Sequence, residues 1–140
     1  MDIEAEVGQA GPKPRPKSPN IQIYRPQLTS VLSIGNRITG VALSLAAVAL
    51  VVWLSSAAAG PQAYAACRGA LGSLPGQIVL FAFTFAFYFH LCGGVRHLVW
   101  DTVHGFELRA IYLSGWAVVA LSAVLTAATW IVSFQLGGRG

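Results

Sequence analysis

Three imidazoles and one carboxylate recur along FAFTFAFYFHLCGGVRHLVWDTVH, the stretch that starts at Phe81. At 3.6 residues per turn, His97 and Asp101 fall within about 20° of His90 around a helix axis, and His104 within about 40°. One helical face would then carry all four. Counting back from Trp100, near which the helix is expected to end, His90 lies roughly 15 Å along the axis, close to the middle of a 30 Å hydrocarbon core. An ionisable group at that depth is costly unless paired and is a functional candidate. Its bland counterpart is an interhelical hydrogen bond, and the residues alone leave both open. The adjacent Gly93-Gly94 admits either a closely packed helix or a flat ring near the backbone. A deep imidazole beside small residues suits a haem, whose iron takes a neutral imidazole nitrogen as axial ligand. Arg96 and His97, one to two turns nearer the interface, are placed to neutralise haem propionates. Asp101 and His104 lie where protons exchange with water. Each of these four is also an ordinary surface residue.

The elements that must position this face are apolar helices. Of the 140 residues, 55% are hydrophobic and 10% charged, and the mean hydropathy is +0.62, whereas soluble domains carry about 25% charged residues. Ile38–Ala59, Ile78–Val95 and Ile111–Phe134 contain no Asp, Glu, Lys or Arg. Each is near the length that a helix rising 1.5 Å per residue needs to cross the core. The expected fold is all-α: three transmembrane helices over about 31–59, 75–101 and 111–136, within a transmembrane anchor domain of residues 20–136. Residues 1–19 hold four of the seven prolines and predict a disordered or partner-ordered tail. Residues 137–140 form a short tail. NIQIY before Arg25-Pro26 reads as extended. Ser55 to Gly76 reads as a loop broken at Gly60-Pro61, with Leu74-Pro75-Gly76 starting the next helix.

Lys13, Arg15, Lys17, Arg25 and Arg37 precede or begin the first span, so the positive-inside rule puts the N-terminus and the second loop in the cytoplasm and the C-terminus outside. These spaced charges are explained by topology better than by a nucleic-acid arm. The polar N-terminus does not resemble a cleavable signal. Ser33 and Arg37, four residues apart, share a face where the chain enters the membrane. Arg37 alone would be a snorkelling anchor, but its level matches that of Arg96 to Asp101 and suggests a polar pocket at the inner interface. Cys67 and Cys92 lie at different depths, which argues against a disulfide, and Cys92 reads as a packing residue. The third span reads as packing, with Tyr112, Trp116 and Trp130 as interfacial anchors. No phosphate-cradling loop, nucleophile elbow, CxxC pair or HExxH motif is present.

Two passages, SPNIQIY…LTSVLSIGNRITG and HLCGGVRHLVWD, resemble the two signature regions of the large cytochrome b membrane-anchor subunits of succinate dehydrogenase, the succinate:quinone oxidoreductase of respiratory membranes. The first is similar to SPHLxIY…SIxHRxTG, and the second fits HxxxGxRHLxxD at every fixed position. The resemblance implies a haem b shared with a second small anchor subunit, with His90 as this chain's axial ligand to the iron. It implies Arg37, Arg96 and His97 near the propionates and Ser33, Arg37 and Asp101 at a ubiquinone site. It also implies docking of an iron–sulfur subunit and a flavoprotein subunit, with no catalysis by this chain alone and no nucleic-acid partner. The short form and the polar N-terminus favour a bacterial inner membrane over a mitochondrial one. The chain departs from the pattern at Asn20 and Asn36, where histidines are usual; asparagine donates a hydrogen bond but cannot ionise, so a propionate contact from Asn36 would lack positive charge. The rival expectations are a haem-free, quinone-binding anchor and, in a different class, a small proton-conducting subunit using His90, Asp101 and His104. The last would call for repeats or broken helices, and neither is evident.

Overall fold

The computed structural model describes residues 25–137. The expected N-terminal tail, the extended NIQIY segment and Asn20 lie outside the described residues. Four helices follow one another without a strand among the described residues: α1 (Leu28–Ala59), α2 (Pro61–Gly72), α3 (Leu74–Asp101) and α4 (Leu108–Gly137). Three of them, α1, α3 and α4, are long and apolar enough to cross a membrane.

Gln27 is extended at φ −89°, ψ 150° and marks the start of α1, its carbonyl accepting from Val31 N–H at 3.1 Å. The loop expected over 55–76 is instead mostly helical. α1 continues to Ala59, and only Gly60, at φ 118°, interrupts the chain before α2 begins on Pro61. Proline pre-sets φ for the first helical position, and the alanine-rich segment after it favours helix. Ser73 then closes α2 and caps α3: its N–H donates to the Gly69 and Ala70 carbonyls, and its Oγ accepts from Gly76 N–H at 3.3 Å. Gly76 is needed at this turn because a Cβ there would strike the carbonyl oxygens of Ala70 and Leu71.

α3 is the hub, touching the other three helices. A small core forms where Leu32 of α1, Phe89 of α3 and Val118 of α4 meet, with Leu28, Phe85, Cys92 and Val119 packed around it. Glycines set the approach: a Cβ on Gly35 would lie 3.1 Å from the Phe89 ring, and one on Gly115 would lie 2.9 Å from Leu32. Small residues at crossings are how helices associate where lipid removes the hydrophobic drive between them. Ile38, Val41, Leu45, Leu74, Leu113 and Val124 are among many large apolar side chains that face outward, as expected when the surrounding medium is hydrocarbon. Cys67 lies in α2 and Cys92 in α3, both as free thiols.

Candidate functional site

The site is built where α3 crosses α1. His90 is half-buried, and its Nδ1 lies 3.0 Å from the Asn36 carbonyl oxygen and 3.3 Å from Thr39 Oγ1. A carbonyl can only accept, so Nδ1 carries the proton and Nε2 keeps its lone pair; the tautomer follows from the partner. Among the described residues, Nε2 has no hydrogen-bond partner. Thr39 Oγ1 sits 2.9 Å from the Gly35 carbonyl and 3.0 Å from that of Asn36, so its hydroxyl proton is directed into its own helix. Gly40 admits the imidazole against α1: a Cβ there would come within 3.1 Å of His90 Cε1.

The glycine pair divides its tasks. A Cβ on Gly93 would lie 2.6 Å from Asn36 Oδ1, whereas one on Gly94 would meet nothing within 4 Å. Gly93 therefore serves helix packing, and Gly94, one residue round the helix, faces open space beside His90. Asn36 Oδ1 is buried and has no hydrogen-bond partner among the described residues. It borders a cavity of about 120 Å³ whose polar lining includes Thr29, Ser33, Asn36, Arg96 and His97. His97 is one to two turns from His90, about 10 Å along the axis, and packs edge-on against Trp100 at 5.4 Å.

Arg96 is only 9% exposed and is turned toward α4. Its Nε donates to Ser114 Oγ at 2.9 Å, one terminal nitrogen donates to the Ile111 carbonyl at 2.9 Å, and the guanidinium stacks 4.0 Å over Trp100. Two of its five N–H donors are thus committed, and three make no hydrogen bond among the described residues. Ser114 and Trp100 escaped the sequence reading. Trp100 is four residues from Arg96, a spacing that could have flagged it, while Ser114 offered no signal beyond being polar in an apolar helix.

The remaining candidates separate. Arg37 and Asp101 are exposed and do not line the cavity. The expectation that His104 shares the His90 face is corrected: α3 ends at Asp101, and Val103 at φ 62° and Gly105 at φ 81° turn the chain away. His104 Nδ1 donates instead to the Thr102 carbonyl at 2.6 Å. Among the described residues no three of His, Cys, Asp and Glu converge as a metal site.

Comparison with known proteins agrees with this architecture. Residues 11–129 match the family described as succinate dehydrogenase/fumarate reductase transmembrane subunit. The succinate dehydrogenase cytochrome b556 subunit of Rickettsia typhi is 42% identical over 117 residues, covering 84% of this chain and 91% of that protein. Its counterpart in Paracoccus denitrificans is 39% identical over 120 residues, covering 86% and 92%. The cytochrome b560 subunit of Reclinomonas americana is 36% identical over 124 residues, covering 84% and 85%. Matches of this extent, on a bundle with three helices able to span a membrane, mean that the chain belongs to the family of succinate dehydrogenase cytochrome b subunits, the membrane anchors of that complex.

Proposed function

We propose that His90 supplies one axial ligand to a haem b, that a second small anchor subunit supplies the other, and that Ser33, Arg37 and Asp101 contribute to a ubiquinone site at the same end of the bundle. The observation that carries this reading is the hydrogen bond from His90 Nδ1–H to the Asn36 carbonyl. It fixes the tautomer that leaves Nε2 free and raises the basicity of the ring, the usual way in which a second partner orients a ligating imidazole. Open space at Gly94 leaves room for a macrocycle edge beside that nitrogen. Bound haem would supply a one-electron relay or reservoir; the chain's residues position it and shape its electrostatics.

Arg96 and His97 provide the polar ground on which propionates can rest. The hold of α4 on Arg96 fixes its position, and its uncommitted N–H groups can donate. Asn36 offers no charge, so positive charge toward the propionates comes from Arg96 and Arg37. Ser33 in the cavity and Arg37 on the next turn can each donate to a quinone carbonyl oxygen. Asp101, at the exposed end of α3, can pass protons from water. Succinate oxidation releases two electrons and two protons, and reduction of quinone to quinol consumes two of each; this chain catalyses neither half alone. It docks the iron–sulfur and flavoprotein subunits in a bacterial inner membrane, with its N-terminus in the cytoplasm and its C-terminus in the periplasm.

The test is haem content per flavin in the complex purified through a tag on this chain, with a reduced-minus-oxidised spectrum, for the parent and for His90→Ala. A b-type band in the parent that disappears in the variant, with flavin retained, is the expected result. Flavin without haem in the parent would instead identify a haem-free anchor.

A further inference from the structure

Where the three long helices meet, two polar groups are buried with capacity unused. One is Asn36 Oδ1 on α1, which has no partner among the described residues. The other is the Arg96 guanidinium on α3, only 9% exposed, whose bonds to Ser114 and Ile111 leave N–H groups uncommitted. Both residues line the cavity of about 120 Å³. Its apolar walls, Leu32, Phe89 and Val118, are the core of the bundle, so α1, α3 and α4 of this one chain enclose it. Gly93 borders it and Gly94 does not. The cavity is therefore set apart from the open side of α3, where Gly94 leaves room for a macrocycle.

Volume and chemistry both narrow the occupant. A dry protein cavity of about 150 Å³ takes one benzene, and a quinone ring with its substituents is larger than benzene, so it does not fit in about 120 Å³. Water needs only about 30 Å³ per molecule. The free N–H groups of Arg96 can only donate, and Asn36 Oδ1 can only accept. A water between them accepts from the first and donates to the second, which answers both groups at once. Among the described residues only Asp101 and Glu107 carry a carboxylate, and neither lines the cavity to offer Arg96 a direct partner. Thr29, Ser33 and His97 also border it and lie toward the end of the bundle where α1 begins and α3 ends. Ser33 and His97 are exposed, so water can enter there.

We propose that this cavity is a hydration site in which at least one ordered water bridges Asn36 Oδ1 to the Arg96 guanidinium, tying α1 to the residue that braces α4. The site needs neither haem nor quinone, because one chain supplies every group in it. The experiment is a cryo-electron-microscopy map of the intact complex, at a resolution that shows ordered water elsewhere in the bundle, for the parent and for His90→Ala. Expected in both is a peak about 2.7–3.2 Å from Asn36 Oδ1 and from an Arg96 nitrogen. A cavity without that peak overturns the proposal. So does a haem propionate or quinone oxygen in its place, or a peak lost together with the haem, since each would mean that a cofactor answers these groups. Asn36→Leu gives an independent reading, because it removes the acceptor at similar volume and keeps the main-chain carbonyl that holds His90. In a dry cavity it would raise the melting temperature, as replacing an orphaned buried acceptor by an apolar group does. With a bridging water it should melt below the parent, and should cost less in an Arg96→Met background, a coupling between side chains that share no direct bond. A melting temperature at or above the parent's, or equal losses in the two backgrounds, overturns the bridge. Should either variant fail to assemble, the maps of parent and His90→Ala decide.

Discussion

Polar groups inside this bundle behave differently on the two sides of α3. Toward α4, Ser122 and Thr126 are 0% and 2% exposed, yet each closes its hydrogen bond within its own helix, Ser122 Oγ on the Val118 carbonyl and Thr126 Oγ1 on the Ser122 carbonyl at 2.7 Å. Toward α1, His90 reaches across to a backbone carbonyl of another helix, and among the described residues its other nitrogen is unpaired and the buried Asn36 Oδ1 has no partner. Back-bonded hydroxyls let helices pack closely and ask for nothing further. Unmet capacity in hydrocarbon is expensive. A polar side chain whose needs close locally is packing material, whereas one that leaves a lone pair facing inward keeps capacity for a further partner.

The comparison is broken most severely at His90. His90→Ala should remove the b-type band altogether, taking haem per flavin from the parent value to near zero while flavin still co-purifies; haem persisting in the variant would locate the ligand elsewhere. Thr126→Ala on the opposite side should leave the same spectrum intact, because its hydroxyl serves only its own helix.

What could be read in advance follows the same division. The three spans are written in composition, since uncharged runs of that length have few alternatives, and His90 stands out as the one histidine within them. The helix over Pro61–Gly72 was not legible as such because Gly60-Pro61 signals a break without saying that the chain re-enters helix at once. The end of α3 before His104 depends on Val103 adopting φ 62°, a conformation that a β-branched residue disfavours and no propensity scale would place there. Gly93 and Gly94 are indistinguishable in sequence, and only packing decides which meets Asn36. The bond from His90 to a main-chain carbonyl has no sequence signature at all, because every residue carries that acceptor.

Arg96 sharpens the contrast, since it serves both sides by bracing α4 while bordering the cavity against α1. Arg96→Lys keeps the charge but cannot bond Ser114 and Ile111 together or stack as a plane on Trp100. It should cost ~2 kcal/mol of stability, visible as a lower melting temperature of the complex. The haem spectrum should shift in position or potential rather than vanish. An unchanged melting temperature would show that the bonds to α4 contribute little.

Gly93→Ala tests the α1 side by crowding. Its new Cβ would fall 2.6 Å from Asn36 Oδ1, and such overpacking costs ~1–2 kcal/mol. Because the clash is with a side chain, Asn36→Ala should relieve it. The double variant is expected to melt above Gly93→Ala alone, a coupling that a thermodynamic cycle isolates. Additive losses would mean that the two helices separate there instead.

The smallest effect is expected from Ser122→Ala, despite its complete burial. Removing the hydroxyl leaves the Val118 carbonyl with its helical partner, so no acceptor is orphaned, and hydrogen bonds of this kind in membrane helices average ~0.6 kcal/mol or less. The substitution is also close in volume and keeps the small-residue surface that α4 presents to its neighbours. Melting temperature, haem content and quinone reductase activity should all stay near parent values. A loss comparable with that of Gly93→Ala would mean that the Ser122 hydroxyl also serves a partner outside its helix, and the division between the two sides of α3 would no longer hold.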